Sequence, residues 1–273
     1  LNLTEEQSIK FSMQKQLEIV SNDNGTFVVD IRDLIGNWIA AKGSWEIHLQ
    51  DFYSRFIKSD DVIVDAGANL GYLTVQFAKL CKKVYAFEPQ SYVFNQLCTN
   101  ILFNNLSEKV STYRLALGDE KGMGQLWSID KEDFGQVWNW GGRGLEWENS
   151  YHKSTGEERE EDKVNIVTLD SFKIKKCDIL KLDVQGYEWQ LIQGGKQTIE
   201  NSLPLILLES DPKRSENDKK VINYLKDLGY SNYRYLINTK EDCILINRNS
   251  DRYTQAIDII EQMDDEYNLT KEF

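Results

Sequence analysis

A chain of 273 residues can bury one substantial core, so one decorated α/β domain is expected rather than two small ones. Hydrophobic residues at 41% and charged residues at 28% sit near globular averages, which argues against wholesale disorder. No apolar run approaches the roughly 18 residues of a membrane span, and a formal charge of −12, from 44 acidic against 32 basic side chains, disfavours nucleic acid as a partner.

The opening "LNLTEEQSIKF" lacks the basic and apolar blocks of a signal peptide, and Cys81, Cys98, Cys177 and Cys243 show no paired spacing. A soluble, cytoplasmic protein with reduced thiols is expected. The start on Leu1 rather than Met suggests a piece of a longer polypeptide.

In chain order, "LEIV" and "TFVVDI" joined by "SNDNG" read as an antiparallel hairpin within residues 17–33. A helix follows from about Trp45 to Lys58. From Asp61 apolar runs alternate with amphipathic segments: Val62 to Val64 as a strand, Leu70, Leu73, Phe77 and Leu80 at helical spacing, "VYAFE" as a second strand, and Val93, Leu97 and Ile101 on a second helix. "VSTYRLAL", "DILKLDV" and "PLILLES" give three more strands. "YEWQLIQGGKQTIE" forms a helix between the last two, and Val221, Leu225 and Leu228 mark one that Gly229 closes. This rhythm predicts a doubly wound, mostly parallel α/β sheet. Residues 1–58 would be an extension packed on a core at 59–250, with a lid at 121–163 in place of a crossover helix. Residues 251–273 would form an acidic surface helix.

Ligands of such sheets sit beyond the carboxyl ends of the strands, which directs attention to "DAGANLGY", Asp65 to Tyr72. A dinucleotide fingerprint needs three glycines in G-x-G-x-x-G to bring backbone against a diphosphate. Here Asn69 stands at the second position and Tyr72 at the third. Asp65 would repel a diphosphate but suit a cofactor carrying an ammonium and a sulfonium, which points to S-adenosylmethionine. Glu88 ends the second strand about 20 residues on, where an acid reaches ribose hydroxyls.

The segments "WE" (Trp45, Glu46), "VIVDAGANLGYLT", "VYAFEP", "ALGDEKG", "NWGGRGL", "TLDSF", "LKLDVQGYEWQLIQGG" and "PLILLES" occur in that order. Together they resemble the FkbM family of S-adenosylmethionine-dependent methyltransferases, from about Trp45 to Glu209. The resemblance implies a Rossmann-like class I methyltransferase fold. It also implies that Asp65, Gly67, Asn69, Gly71 and Tyr72 hold the methionyl part, with Glu46 among the cofactor residues. Glu88 would hold the ribose, and the stretch from Leu117 to Asp119 would lie on the adenine side.

Methyl transfer is an in-line displacement, and an alcohol acceptor must also lose a proton. Lys181 and Asp183 share one face of the fourth strand, and the resemblance sets Asp183 at the transferable methyl. Glu188 reads as a helix N-terminal charge partner. Asp183, Glu209 and Asp211 could together bind Mg²⁺ or another divalent cation, although Glu209 could equally serve backbone donors. His152, in the lid, is a candidate general base; His48 reads as structural. Trp138, Asn139, Trp140 and Arg143, with Trp147 nearby, offer flat rings and polar tips suited to a sugar, or a satellite core under the lid. The resemblance favours a sugar-bearing acceptor, a glycan or glycosylated small molecule, methylated at a hydroxyl such as a deoxyhexose 2- or 3-OH, in a chain that could serve a larger glycan-modifying protein. A non-sugar alcohol, a carboxyl acceptor and a non-catalytic cofactor-binding module are the alternatives.

Overall fold

The computed structural model describes residues 16–126, 139–145, 163–209, 216–237, 240–267 and 270–272. The first apolar run forms β3 (Val62–Ala66), whose residues alternate between the two faces of the sheet. Ile63 joins the core on one side and Val64 and Ala66 the core on the other. The same alternation runs through β4 (Lys83–Phe87), β9 (Ile179–Leu182) and β10 (Leu205–Glu209). Strands covered on both faces need apolar side chains at every position, which is why these runs read as continuous.

Ahead of them lies the expected hairpin, β1 (Leu17–Asn22) and β2 (Gly25–Asp30), paired antiparallel. With β5 (Val110–Tyr113), β11 (Tyr230–Ile237), β12 (Lys240–Asn247) and β13 (Thr270–Glu272), the core strands make an eight-stranded sheet in the order β13-β11-β12-β10-β9-β3-β4-β5. The five strands from β10 to β5 are parallel; β12, β11 and β13 run antiparallel at one edge. Strand order reverses between β3 and β9, and the crevice beyond their carboxyl ends is where such sheets bind ligands.

One core face packs under α1 (Leu34–Lys42), α2 (Ile47–Phe56), α3 (Tyr72–Leu80), α4 (Ser91–Phe103) and α8 (Tyr253–Tyr267), the other under α5 (Glu188–Gly194), α6 (Lys196–Ser202) and α7 (Glu216–Asp227). The helix expected from Trp45 to Lys58 is α2, and the single one expected over "YEWQLIQGGKQTIE" is two, α5 and α6, meeting at Gly195. The tail helix is more than a surface element. Ala256, Ile259, Ile260 and Met263 are buried in the first core, and Arg252 anchors the helix start. Its guanidinium donates to both Asp61 oxygens at 2.8–2.9 Å and lies 3.8 Å from the Phe56 ring centroid.

Three elements depart from the sequence expectation. The run "VSTYRLAL" is split: β5 joins the main sheet, whereas β6 (Ala116–Leu117) pairs with β8 (Lys163–Val167) in a small second sheet completed by β7 (Gly122–Gln125). That sheet stands at both ends of the expected lid, and Leu126 bridges to Leu145 beside it over a core that includes Val164 and Ile166. Helix α1 was not expected. It is started by Asp33, whose carboxylate accepts from Ile35 and Gly36 N–H, and stopped by Gly43 at φ 74°. The β11–β12 hairpin was likewise not expected.

Candidate functional site

The β3–α3 loop is built by its own side chains. Asn69 takes the left-handed conformation (φ 52°) that glycine usually fills, and its Oδ1 accepts from Leu70 N–H. Gly67 (φ 78°) must be glycine, since a Cβ there would lie 1.7 Å from the Asp183 carbonyl oxygen. The loop amides already have acceptors. Gly67 and Ala68 N–H both donate to the Phe87 carbonyl, and Asn69 N–H donates to Glu88 Oε2 at 3.0 Å. These N–H groups are therefore not available to cradle a diphosphate, a stronger reason against a dinucleotide than the missing glycines.

Glu88 is 5% exposed and holds two loops at once, its second oxygen accepting from Gln90 N–H at 2.9 Å. Burial raises its pKa to about 7, against the pull of those two N–H donors. Around it opens a cleft of about 570 Å³. Its walls include Phe87, Leu117, Leu126, Leu145 and Tyr187: flat or apolar surface beside one buried carboxylate acceptor, a combination that fits an adenosine. Glu88 and Leu117, both expected on the nucleoside, line this cleft. Asp119 is exposed in the turn after β6 and does not line the cleft; it faces Tyr187 from outside and helps raise that phenol's pKa, after burial.

A second cleft of about 650 Å³ adjoins the first. Gly67, Asn69, Gly141, Asp183 and Gln185 line both. Glu46 and Tyr72 line only the second, with Leu34, Ile35, Trp45 and Lys181. Of the residues expected on the nucleoside, Glu88 and Leu117 therefore stand in the first cleft; of those expected on the methionyl part, Gly67 and Asn69 stand at the junction and Tyr72 in the second. The Tyr72 ring itself packs on Phe27 at 4.8 Å, with its hydroxyl accepting from Asn24 and donating to the Gly43 carbonyl. Gly71 (φ 86°) lines neither cleft and starts α3 against Leu97.

Asp65 requires a correction. It is fully buried below the loop and lines neither cleft. Odd-numbered positions of β3 face the side packed by α3, so its carboxylate turns to Thr74, whose hydroxyl donates to it at 2.6 Å, and to Lys181, its register partner on β9, at 3.6 Å. Lys181 is itself buried; its ammonium donates to the Gly67 carbonyl at 3.0 Å and lies 3.5 Å from Asp183. Burial would lower its pKa, but Asp183, Asp65, Glu46 and Glu209 outweigh burial and hold it above the ordinary lysine range. A permanent ammonium donates to its neighbours and accepts no proton, so Lys181 positions the site rather than acting as a base.

Asp183 stands just past β9, its side chain 28% exposed. Gln185, in a left-handed conformation (φ 53°), donates from Nε2 to Asp183 Oδ1 at 2.7 Å and to Glu209 Oε2 at 3.2 Å. Glu188 secures this loop from behind, accepting from Val184 and Gly186 N–H; burial raises its pKa to about 8. Metal binding by Asp183, Glu209 and Asp211 is not supported: Asp211 lies outside the described residues, and an amide and an ammonium already serve the other two. Among the described residues no cluster of His, Cys, Asp and Glu is arranged to hold a metal ion.

The expected sugar platform also changes. Trp140 lines neither cleft; its ring packs edge-on against Tyr92 at 4.6 Å and under the Arg32 guanidinium. Its backbone is clamped, since Trp140 N–H donates to Asp33 Oδ1 at 2.9 Å and its carbonyl accepts from Gln90. Arg143 lines the nucleoside-side cleft and approaches Gln90 Oε1 at 3.5 Å. Asn139 does line the second cleft. Trp138, Trp147 and His152 lie outside the described residues, as does the His48 side chain. The sequence argument missed Gln185 and Tyr187, though both stand in the quoted "LDVQGYEW".

Among solved structures, the methyltransferase FkbM from Methylobacillus flagellatus KT is similar at 15% identity and TM-score 0.50, over 70% of this chain and 44% of that one. The M. jannaschii tRNA m1G37 methyltransferase matches at 14% identity and TM-score 0.47, over 85% and 57%. M. jannaschii TYW2 in complex with AdoMet matches at 16% and 0.42, over 84% of both chains. The first shows the fold, and the chain spans about half the length of the first two. No curated protein matches. The model of the methyltransferase FkbM domain, however, matches residues 65–231, more than half of the sequence and the stretch from the end of β3 through β10, and the chain belongs to that methyltransferase family.

Proposed function

We propose that this chain is an S-adenosylmethionine-dependent O-methyltransferase acting on a sugar hydroxyl, in a glycan or a glycosylated small molecule. The observation that carries this reading is Asp183, a partly exposed carboxylate lining both clefts where they meet. When bound, the cofactor supplies a methyl group activated on a sulfonium. Phe87, Leu117 and Tyr187 would hold its adenine, Glu88 would accept from its ribose hydroxyls, and Glu46 would complement its amino group. Asp183 accepts the acceptor's hydroxyl proton as the oxygen attacks. Lys181 complements that carboxylate electrostatically, and Gln185 fixes its orientation, so little reorganisation accompanies the transfer.

Support for a sugar comes from the second cleft, where Trp45, Leu34 and Ile35 give apolar surface beside Asn139 and Glu209. Rings and aliphatic groups pack on the C–H face of a pyranose while amides and carboxylates meet its hydroxyls. The excess of acidic side chains suits a neutral acceptor better than a polyanion. A panel of hexose and deoxyhexose glycosides, incubated with methyl-labelled cofactor, tests this reading. Label is expected in the sugar ether, with turnover surviving a chelator. Label confined to a carboxyl or to a non-sugar alcohol would overturn it.

A further inference from the structure

Helix α1 carries an aromatic surface that neither the nucleoside cleft nor the catalytic loop uses. Leu34 and Trp38 are one turn apart on the same helical face, and both remain open, at 40% and 48% exposure. Leu34 forms part of the second cleft's wall, and Trp38 meets the cleft-lining Trp45 edge-to-face at 6.2 Å and 84°. The exposed indole therefore continues the acceptor cleft outward across α1. The helix is held firmly at this edge. Asp33 caps it and also accepts from Trp140 N–H, and a Cβ on Gly36 would lie 2.2 Å from the Asp30 carbonyl, so α1 sits hard against β2.

An exposed tryptophan on a fixed helix, continuous with a cleft whose polar lining mixes carboxylates (Glu46, Asp183, Glu209) with amides (Asn69, Asn139, Gln185), matches a neutral ring with an apolar face and hydroxyls at its edge. We propose that Trp38, with Leu34, forms an outer acceptor subsite that stacks the sugar ring adjoining the one methylated, so that the enzyme favours a disaccharide or longer glycoside over a monosaccharide. This rests on the sugar-hydroxyl reading of the second cleft. Lys181, Asp183 and Gln185 would act on the inner ring, while the outer ring gains only contact with the indole and Leu34 and so affects binding rather than chemistry.

The test compares methyl glycosides with the matching disaccharides in wild type, Trp38→Ala and Trp38→Phe. Stacking of this kind is expected to give the wild type a roughly tenfold lower KM for the disaccharide. Trp38→Ala should remove that preference, with kcat, the monosaccharide KM and the affinity for S-adenosylhomocysteine unchanged, and Trp38→Phe should restore part of it. A wild type with no disaccharide preference, or a Trp38→Ala protein that weakens both acceptors alike or neither, overturns the subsite while leaving sugar methylation standing. Methylation of no sugar by wild type, with cofactor turnover on another acceptor, overturns both. Because Trp38 is half exposed, the alanine variant should keep the wild-type melting temperature; a large drop would assign the residue to packing and also count against the subsite.

Discussion

Replacing Asp183 with Asn should lower kcat by about 10²- to 10⁴-fold, the usual contribution of a positioned general base, while cofactor affinity and the acceptor KM stay within a few-fold of wild type. Asn keeps the shape and can still accept from Gln185 Nε2, the donor now 2.7 Å from Asp183 Oδ1. What it cannot do is take a proton. Steady-state kinetics on a sugar acceptor, with calorimetry for the cofactor, separate the two roles. A variant that retains kcat within tenfold would place the proton elsewhere, with His152 the next group to examine. A collapse of cofactor affinity would make Asp183 a binding residue.

The second large effect concerns stability. Lys181→Met should destabilise the fold by about 3–5 kcal/mol, the cost of leaving a buried charge without its partner, or on the order of 10 °C in Tm. Asp65 is fully buried, and its Oδ1 has no hydrogen-bond donor, only the ammonium at 3.6 Å. The paired substitution Lys181→Met with Asp65→Asn removes the stranded charge and should recover most of the loss, though not the activity, since the Gly67 carbonyl and Asp183 both lose their cation. Urea unfolding of the single and double variants measures the coupling. A double variant no more stable than Lys181→Met alone would show that the two charges are not coupled in the way described here.

The sequence is most legible where one residue type answers one local demand. Val62 to Val64 must be a strand buried on both faces, Gly67 must turn tightly, and the acid closing β4 must stand near the first loop. Those inferences needed only local pattern, and Glu88 lines the first cleft; Leu117, which lines it too, was implied by the family resemblance alone. Asp65 was misjudged because its role depends on strand register. Period-two alternation turns it to the face of the sheet packed by α3, but only the pairing of β3 with β9 brings Lys181 opposite and converts an expected cofactor contact into a buried ion pair.

Trp140 was misjudged for a related reason. Tryptophan in a glycine-rich segment suits a ligand platform or a clamp equally well, and Tyr92 and Arg32, which decide the matter, are 48 and 108 residues away in sequence. Helix α1 was hidden by its glycine. Gly36 lowers helix propensity, yet close approach to the Asp30 carbonyl requires it. Among the described residues, the apolar wall of the second cleft comes from Leu34 and Ile35 of α1 and from Trp45.

A cleft whose loop amides are already engaged and whose buried acid is Glu88 should take ribose hydroxyls and refuse a diphosphate. Calorimetric titration with S-adenosylhomocysteine and, separately, with NAD at pH 8 and pH 6 tests it directly. The expected result is one-to-one binding of S-adenosylhomocysteine, weaker by up to about tenfold at pH 6, where Glu88, with its pKa raised to about 7, is mostly protonated, and no uptake of NAD at either pH. Binding of NAD, or affinity for S-adenosylhomocysteine that is the same at both pH values, would contradict it.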